Sequence, residues 1–458
     1  MSSHRPSRFL LLGLLICLVI RGGAILASKS AFVSDPDAYK AIASTISQHH
    51  VFGLTSSEGI PRAIAFRPPL YSWLLSFITV QQNVLHWWLA AFHIGLAMVT
   101  VALVFQLTRR FVLQSDPQQG LKADLFSLAA GVLVVIDPIL LRQSLDVMTE
   151  TLAATLSTIC IVAWHRLHSD QQNSKTRTSA WAVVLGGTLA LAYLCRPTFL
   201  VWSGLLVFAL LVTKPLKKAF LSASIVAACV GLALVGWTMR NQVVTGHPVW
   251  ATTHGGYTLL LGNNESFYDY LSGSQAGERN VGGAWDAANF INAYQHRYEG
   301  DPLEATFWSR SWPDPPKMPQ SVTEYDDDRL AYRSAVSTIK RRPKLFAWSS
   351  LIRVARLWSP FPHDIEGRSR FAVVGVGMFY LVLATAVLVG ILRHRHVLFE
   401  KRYWAIWLLA FTLTGVHSVY WSNMRMRAPI MPIAAMLAVV GFVRPRADEA
   451  SGDGQGRD

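Results

Sequence analysis

The feature that most limits what this chain can become is a repeated one: runs of about 17–22 residues with almost no charge, joined by short polar loops. They lie near 9–27, 85–107, 123–141, 147–166, 179–195, 197–213, 219–238, 371–392, 403–420 and 428–443. Each is long enough, or nearly so, to cross a hydrocarbon core of about 30 Å. The pair at 179–213 is short and meets at Arg196-Pro197, so ten is an approximate count. Only 15% of the 458 residues are charged, whereas a soluble chain carries about 25%. The expected fold is therefore a polytopic α-helical membrane protein of about ten spans, with a mixed extracytoplasmic segment between spans seven and eight.

The net charge of +14 would fit nucleic acid, but its distribution does not. Lys and Arg flank the apolar runs in short loops, as the positive-inside rule describes, and no basic-aromatic nucleic-acid motif occurs. Arg109, Arg110 and Lys122, then Arg166, Lys175 and Arg177, then Lys214, Lys217 and Lys218 fall in alternate loops, as do Arg393, Arg395, Lys401 and Arg402. This pattern predicts cytoplasmic N- and C-termini. The basic MSSHRPSR and the run after it would fit a cleaved signal peptide, but Arg21 interrupts that run and no clean A-x-A site follows, so an uncleaved first span is expected. The organisation expected is a membrane module over 1–238 with a first outer loop at 28–84, an extracytoplasmic segment over 239–370, membrane spans over 371–443, and a polar cytoplasmic tail over 444–458. Cys17, Cys160, Cys195 and Cys229 sit in or beside apolar runs and form no CxxC pair.

The first outer loop carries Asp35 and Asp37 where the chain leaves the bilayer, then Tyr39, then Arg67-Pro68-Pro69-Leu70-Tyr71 where it returns. Two acids held at a membrane surface suit proton abstraction or metal binding, although Asp-Pro-Asp also serves as a helix cap. Arg196, Arg240, Arg425 and Arg427 fall at the outer interface, where guanidinium groups match phosphate oxygens or simply snorkel to headgroups. Asp146 and Glu150 share a helix face, and Glu150, the deeper, either pairs with an interfacial Arg or serves a site. In 239–370, Gly255-Gly256 and Gly262-Asn263-Asn264 mark turns around a short apolar TLLL strand or turn. A helical pattern interrupted at Pro343 leads into an amphipathic stretch to Trp358, expected to lie on the membrane surface with Arg353 and Arg356 on it. Asp326-Asp327-Asp328 reads as a solvated helix start.

Several of these pieces, in this order, resemble the C-type glycosyltransferases, in particular the bacterial group related to protein O-mannosyltransferases and to the aminoarabinose transferase of lipid A. The resemblance rests on Asp35-xxx-Tyr39, Phe66-Arg67-Pro68-Pro69-Leu70-Tyr71, Met148-Thr149-Glu150, Arg196-Pro197-Thr198, Trp237-Thr238-Met239-Arg240-Asn241, Gly255-Gly256-Tyr257, Gly262-Asn263-Asn264 and Arg425-Met426-Arg427-Ala428-Pro429. It covers roughly residues 30–440.

The resemblance implies inverting transfer of a sugar from a polyprenyl-phosphate donor to a lipid, glycan or protein acceptor, at the extracytoplasmic face of the cell inner membrane. It casts Asp35 as the base with Asp37 in reserve, Arg67, Arg240, Arg425 and Arg427 as ligands of the donor phosphate, and Tyr39, Glu150, Tyr257, Gly262 and Asn263 as lining. A base is needed for the acceptor proton, and cations for the phosphate leaving group. Pro36 separates the two loop acids where some relatives carry adjacent ones, which leaves a divalent metal open. A lipid flippase or transporter, or a non-catalytic envelope-assembly relative, is the alternative; a transporter would need charges along a mid-bilayer path.

Overall fold

The computed structural model describes residues 7–444 apart from 57, 82, 116–117, 170–174, 274–284, 286, 314, 317–321 and 364–368. Apolar runs become helices because a helix closes its own backbone hydrogen bonds, as hydrocarbon requires. α1 is Arg8–Ala27; the first loop holds α2 (Tyr39–His49) and α3 (Pro69–Ser76); α4 is His86–Ser115 and α5 Gly120–Ile136. A short α6 (Pro138–Gln143) leads to α7 (Glu150–Ser169), α8 (Lys175–Cys195), α9 (Thr198–Thr213) and α10 (Leu216–Thr245). The middle segment carries α11 (Gly255–Gly262), α12 (Glu265–Ser272), α13 (Ala288–Gln295), α14 (Glu324–Arg341) and α15 (Pro343–Trp358). α16 (Arg370–Arg393), α17 (Arg395–Leu398), α18 (Trp404–Val419) and α19 (Met431–Val440) follow. In the first loop and just after it, β1 (Gly53–Thr55) pairs antiparallel with β2 (Pro61–Ala63), and β3 (Thr79–Val80) with β4 (Asn83–Val84).

Helices stand at all ten expected positions, and α1, α4, α8, α10 and α16 are long and apolar enough to cross a membrane. The chain is a membrane protein. α7 is too polar to stand out as a span, yet 15 of its 20 residues are buried, Glu150 at its start among them. Its hydroxyls and indole face protein rather than lipid. Thr155 hydrogen-bonds Thr100 on α4 (2.9 Å), Ser157 donates to the Pro429 carbonyl (2.6 Å), and Trp164 Nε1 to the Lys401 carbonyl (2.9 Å). α7 is therefore the central post of the bundle. Arg21 binds α1 to that bundle: fully buried, it donates to the Leu140 carbonyl (2.7 Å) and the Val134 carbonyl (3.1 Å). At Gly390 a Cβ would lie 2.1 Å from the Leu437 carbonyl, so the glycine lets α16 approach α19 at backbone distance.

The middle segment has its own apolar core of Leu259, Leu260, Phe290, Phe307, Trp308 and Ala335. The GGYTLLLG stretch, expected as a strand or turn, is helical α11, because Leu259 and Leu260 must face the same side to bury together against α14. α15 is the amphipathic helix expected, with Trp348, Leu351 and Trp358 exposed, but Arg353 is not on its outer face. Arg353 is buried, donating to the carbonyls of Ser418 (2.9 Å) and Gly262 and to Asn263 Oδ1 (3.2 Å), so it ties α15 to α18 and α11. The acidic run is likewise more than a solvated start: Asp327 pairs with Arg297 at 2.5 Å, and Asp328 is buried against α11.

Candidate functional site

The first loop turns sharply before α2, with Ala38 left-handed at φ 59. That turn brings Asp35 over the end of the helix, where its Oδ2 accepts the backbone N–H groups of Lys40 (2.9 Å) and Ala41 (3.1 Å). Asp35 Oδ1 is buried and makes no hydrogen bond among the described residues. Burial raises the Asp35 carboxyl above its ordinary value; the backbone donors and Lys40 offset only part of this. Asp37 is different. It pairs with Arg67 at 2.7 Å, and the guanidinium lies 4.4 Å from the centre of the Phe66 ring.

Behind this loop stands an aromatic column. The buried Tyr39 ring meets Tyr71 edge-on at 5.1 Å, and Tyr71 hydrogen-bonds His93 Nε2 on α4 at 2.8 Å. His93 Nδ1 lies 3.1 Å from the Ser144 carbonyl, which can only accept. The proton therefore sits on Nδ1, and Nε2 accepts from the Tyr71 hydroxyl. Burial keeps the Tyr39 phenol protonated, and the charges of Asp37, Arg67, Glu150 and Arg196 all act on it. The loop and the helix ends thus meet around Tyr39.

Glu150 begins α7, where the helix dipole favours an anion. Arg196 Nη2 lies 3.7 Å and Arg425 Nε 3.6 Å from its Oε1. Neither contact is a hydrogen bond, and both carboxylate oxygens are buried without one. A buried carboxylate between two guanidinium groups, with its lone pairs unused, has room for a ligand's donors. Asp146 pairs with Arg142 at 3.3 Å, just ahead of Glu150.

The middle segment caps the loop. Thr253 N donates to the Ala65 carbonyl (3.0 Å), and Ala65 N donates to Glu324 Oε1 (2.6 Å). His254 sets its ring against Phe66 (4.8 Å) and Tyr257 (5.1 Å). Burial, and then Arg67, push His254 down to about 3, so it is a neutral wall.

Asp35, Asp37, Arg67, Tyr39, Glu150 and Arg425 therefore come together, with Tyr257 at the rim. Other expected residues point elsewhere. Arg240 donates to the carbonyls of Phe52 (2.7 Å) and Ile64 and lies between the Phe52 and Trp237 rings, pinning the loop rather than facing Glu150. Arg425 and Arg427 share a 3₁₀ helix, where residues two apart point about 120° from each other. Arg427 turns to the carbonyls of Leu357 (3.1 Å) and Ser359 (2.7 Å) and to the Tyr380 ring, beside buried Asp137. Gly262 and Asn263 lie in the buried knot around Arg353. Arg196 is one of the four outer-interface arginines that the sequence offers to a phosphate, although the resemblance does not cast it as a ligand of the donor. Among the described residues no three His, Cys, Asp or Glu side chains gather as a metal ion would need, and Asp35 and Asp37 each hold protein donors already.

No protein-family model matches the sequence, and no curated protein matches it. Solved structures do match. The oligosaccharyltransferase AglB of Archaeoglobus fulgidus, in complex with an inhibitory peptide and a dolichol-phosphate, superposes with a TM-score of 0.50 at 14% identity, over 94% of this chain and 49% of AglB. ArnT of Cupriavidus metallidurans bound to undecaprenyl phosphate matches with a TM-score of 0.41 at 12% identity, over 98% of this chain and 80% of ArnT. The chain shares the fold of AglB. It spans about half the length of AglB. Within this fold the cluster around Tyr39 gathers the first loop, the start of α7, the α8–α9 junction and the turn before α19.

Proposed function

We propose that the protein is an inverting glycosyltransferase that moves a sugar from a polyprenyl-phosphate donor to an acceptor hydroxyl. The observation that carries this reading is the meeting, around Tyr39, of a carboxylate with a free oxygen and raised proton affinity (Asp35) and an anion-ready pair of guanidiniums (Arg196 and Arg425). In the reaction, Asp35 Oδ1 takes the acceptor proton as the hydroxyl oxygen attacks the anomeric carbon. The bond from that carbon to the phosphate oxygen breaks, and the lipid phosphate leaves with its charge stabilised by Arg196 and Arg425. Glu150 accepts hydroxyls of the donor sugar through its unused oxygens, while its charge keeps the two guanidiniums side by side. Asp37 stands in reserve, since one of its carboxylate oxygens is already held by Arg67 at 2.7 Å.

The fold shared with AglB, whose structure holds a dolichol-phosphate, supports a lipid-linked donor. In this reading the active site faces the extracytoplasmic side of the inner membrane, both termini are cytoplasmic, and the acceptor is a lipid, glycan or protein. Arg240 and Arg427 hold the loops that frame the site, and Gly262 and Asn263 anchor its cap. The decisive experiment is Asp35→Asn in a lipid-linked sugar transfer assay, supported by mass spectrometry of envelope glycolipids and glycoproteins. Asn preserves an oxygen for the Lys40 and Ala41 N–H groups, so the fold should persist while turnover falls by about 10²–10⁴-fold. Full transfer by the Asn variant would remove Asp35 as the base, whereas a scaffold or transporter would show no transfer and would keep its role in the Asn variant.

A further inference from the structure

A second, polar cleft of about 620 Å³ opens in the middle segment between α12, the 3₁₀ turn Ala305–Ser309 and the α14–α15 junction. Among the described residues three guanidiniums and two carboxylates line it, an excess of one positive charge. Their roles differ. Arg341 is fully engaged: Nε and Nη2 hold Glu265 Oε1 (3.0 and 2.8 Å), Nη2 also reaches Thr338, and Nη1 binds Ser337 and the Leu303 carbonyl. Arg342 spends Nη1 on Glu265 Oε2 (3.0 Å) and Asp269 Oδ1 (2.5 Å), while its Nε and Nη2 make no hydrogen bond among the described residues. Arg310 is exposed at the cleft and forms no ion pair among the described residues. Thr306 and Ser309 add two exposed hydroxyls to the same wall.

The carboxylates therefore act as fixtures. Buried Glu265 orients Arg341 and Arg342, so one edge of Arg342 is held in place before any ligand arrives. An oriented guanidinium edge, a free guanidinium and two hydroxyls supply more donors than a carboxylate with two oxygens uses. They suit the three terminal oxygens of a phosphate monoester.

We infer that this cleft is a binding site for a phosphorylated ligand. α11 spans about 12 Å, at 1.5 Å for each of its eight residues, between its start against Arg67 and Phe66 and the turn into α12. The cleft is thus a distal site. Resting on the transferase reading above, the group it holds is a remote phosphate of an extended acceptor, not the hydroxyl that reacts.

The test uses the full-length protein in nanodiscs of zwitterionic lipid, with inorganic phosphate and a soluble hexose phosphate as probes. Saturable binding is expected, weakened at least tenfold in Arg310→Ala and in a Thr306→Ala, Ser309→Ala double variant. Asp35→Asn should bind both probes as the unsubstituted protein does, even with transfer lost, which separates this site from the reaction. Loss of probe binding in nanodiscs containing anionic phospholipid would support the phosphate site and assign it to a lipid headgroup. Retention there would support the acceptor. Absence of saturable binding, or equal binding by Arg310→Ala, overturns the inference.

Discussion

Asp35 and Asp37 lie two residues apart yet are chemically unlike, since one keeps a free buried oxygen and the other is neutralised by Arg67. Because burial raises Asp35, the acid limb of the kcat/KM profile should lie above the usual aspartate range, with rate falling as pH drops through it. The same shift fixes a stability effect. The native state holds this proton to higher pH than the unfolded chain, so the fold loses a little stability as pH rises between the two values, and Asp35→Asn should not lower the melting temperature at neutral pH. Thermal melts across pH check this. Glu150→Gln should leave a folded protein with kcat/KM for the donor reduced about 10–100-fold, because a charged acceptor of sugar hydroxyls is lost. Unchanged donor kinetics would reduce Glu150 to a packing role. Of these residues the sequence marked the acids, Tyr39 and Arg425 through their places at loop ends. The resemblance ranked Asp35 above Asp37 by its spacing to Tyr39, but the chemical difference between them comes from Arg67, 30 residues beyond Asp37.

At the scale of elements, the cap depends on α11 lying flush against α14. Gly256 N donates to Asp328 Oδ1 at 2.6 Å, and a Cβ there would lie 2.1 Å from the Asp328 carbonyl. Gly256→Ala should therefore destabilise the cap by about 1–3 kcal/mol, read as a lowered unfolding midpoint, and should slow transfer by moving His254 and Tyr257. Hydropathy located helices at all ten expected positions because lipid demands uniformly apolar surfaces. It failed on TLLL, where four apolar residues fit strand or helix alike and the facing surface of α14 decides. It placed α15 but not Arg353, which reads as an interfacial charge until Gly262 and Ser418 are seen to receive it.

For the whole molecule, the reading requires the first loop and the turn before α19 to share one side of the membrane. In a background with Cys17, Cys160, Cys195 and Cys229 replaced, Ser34→Cys and Val419→Cys should react with an impermeant maleimide from the same, extracytoplasmic side. Labelling from opposite sides would end the proposal. The sequence alone determined that this chain enters a membrane, where its apolar helices fall, and that acids and arginines gather at helix ends; those follow from hydrophobic length and charge cost, which are local quantities. Only the tertiary structure decided which of those charges meet. Glu150 finds Arg196 and Arg425, while Arg240 and Arg427 are spent on backbone carbonyls. The partner of a buried ion is set by which helix packs beside it, and no stretch of chain records that contact by itself.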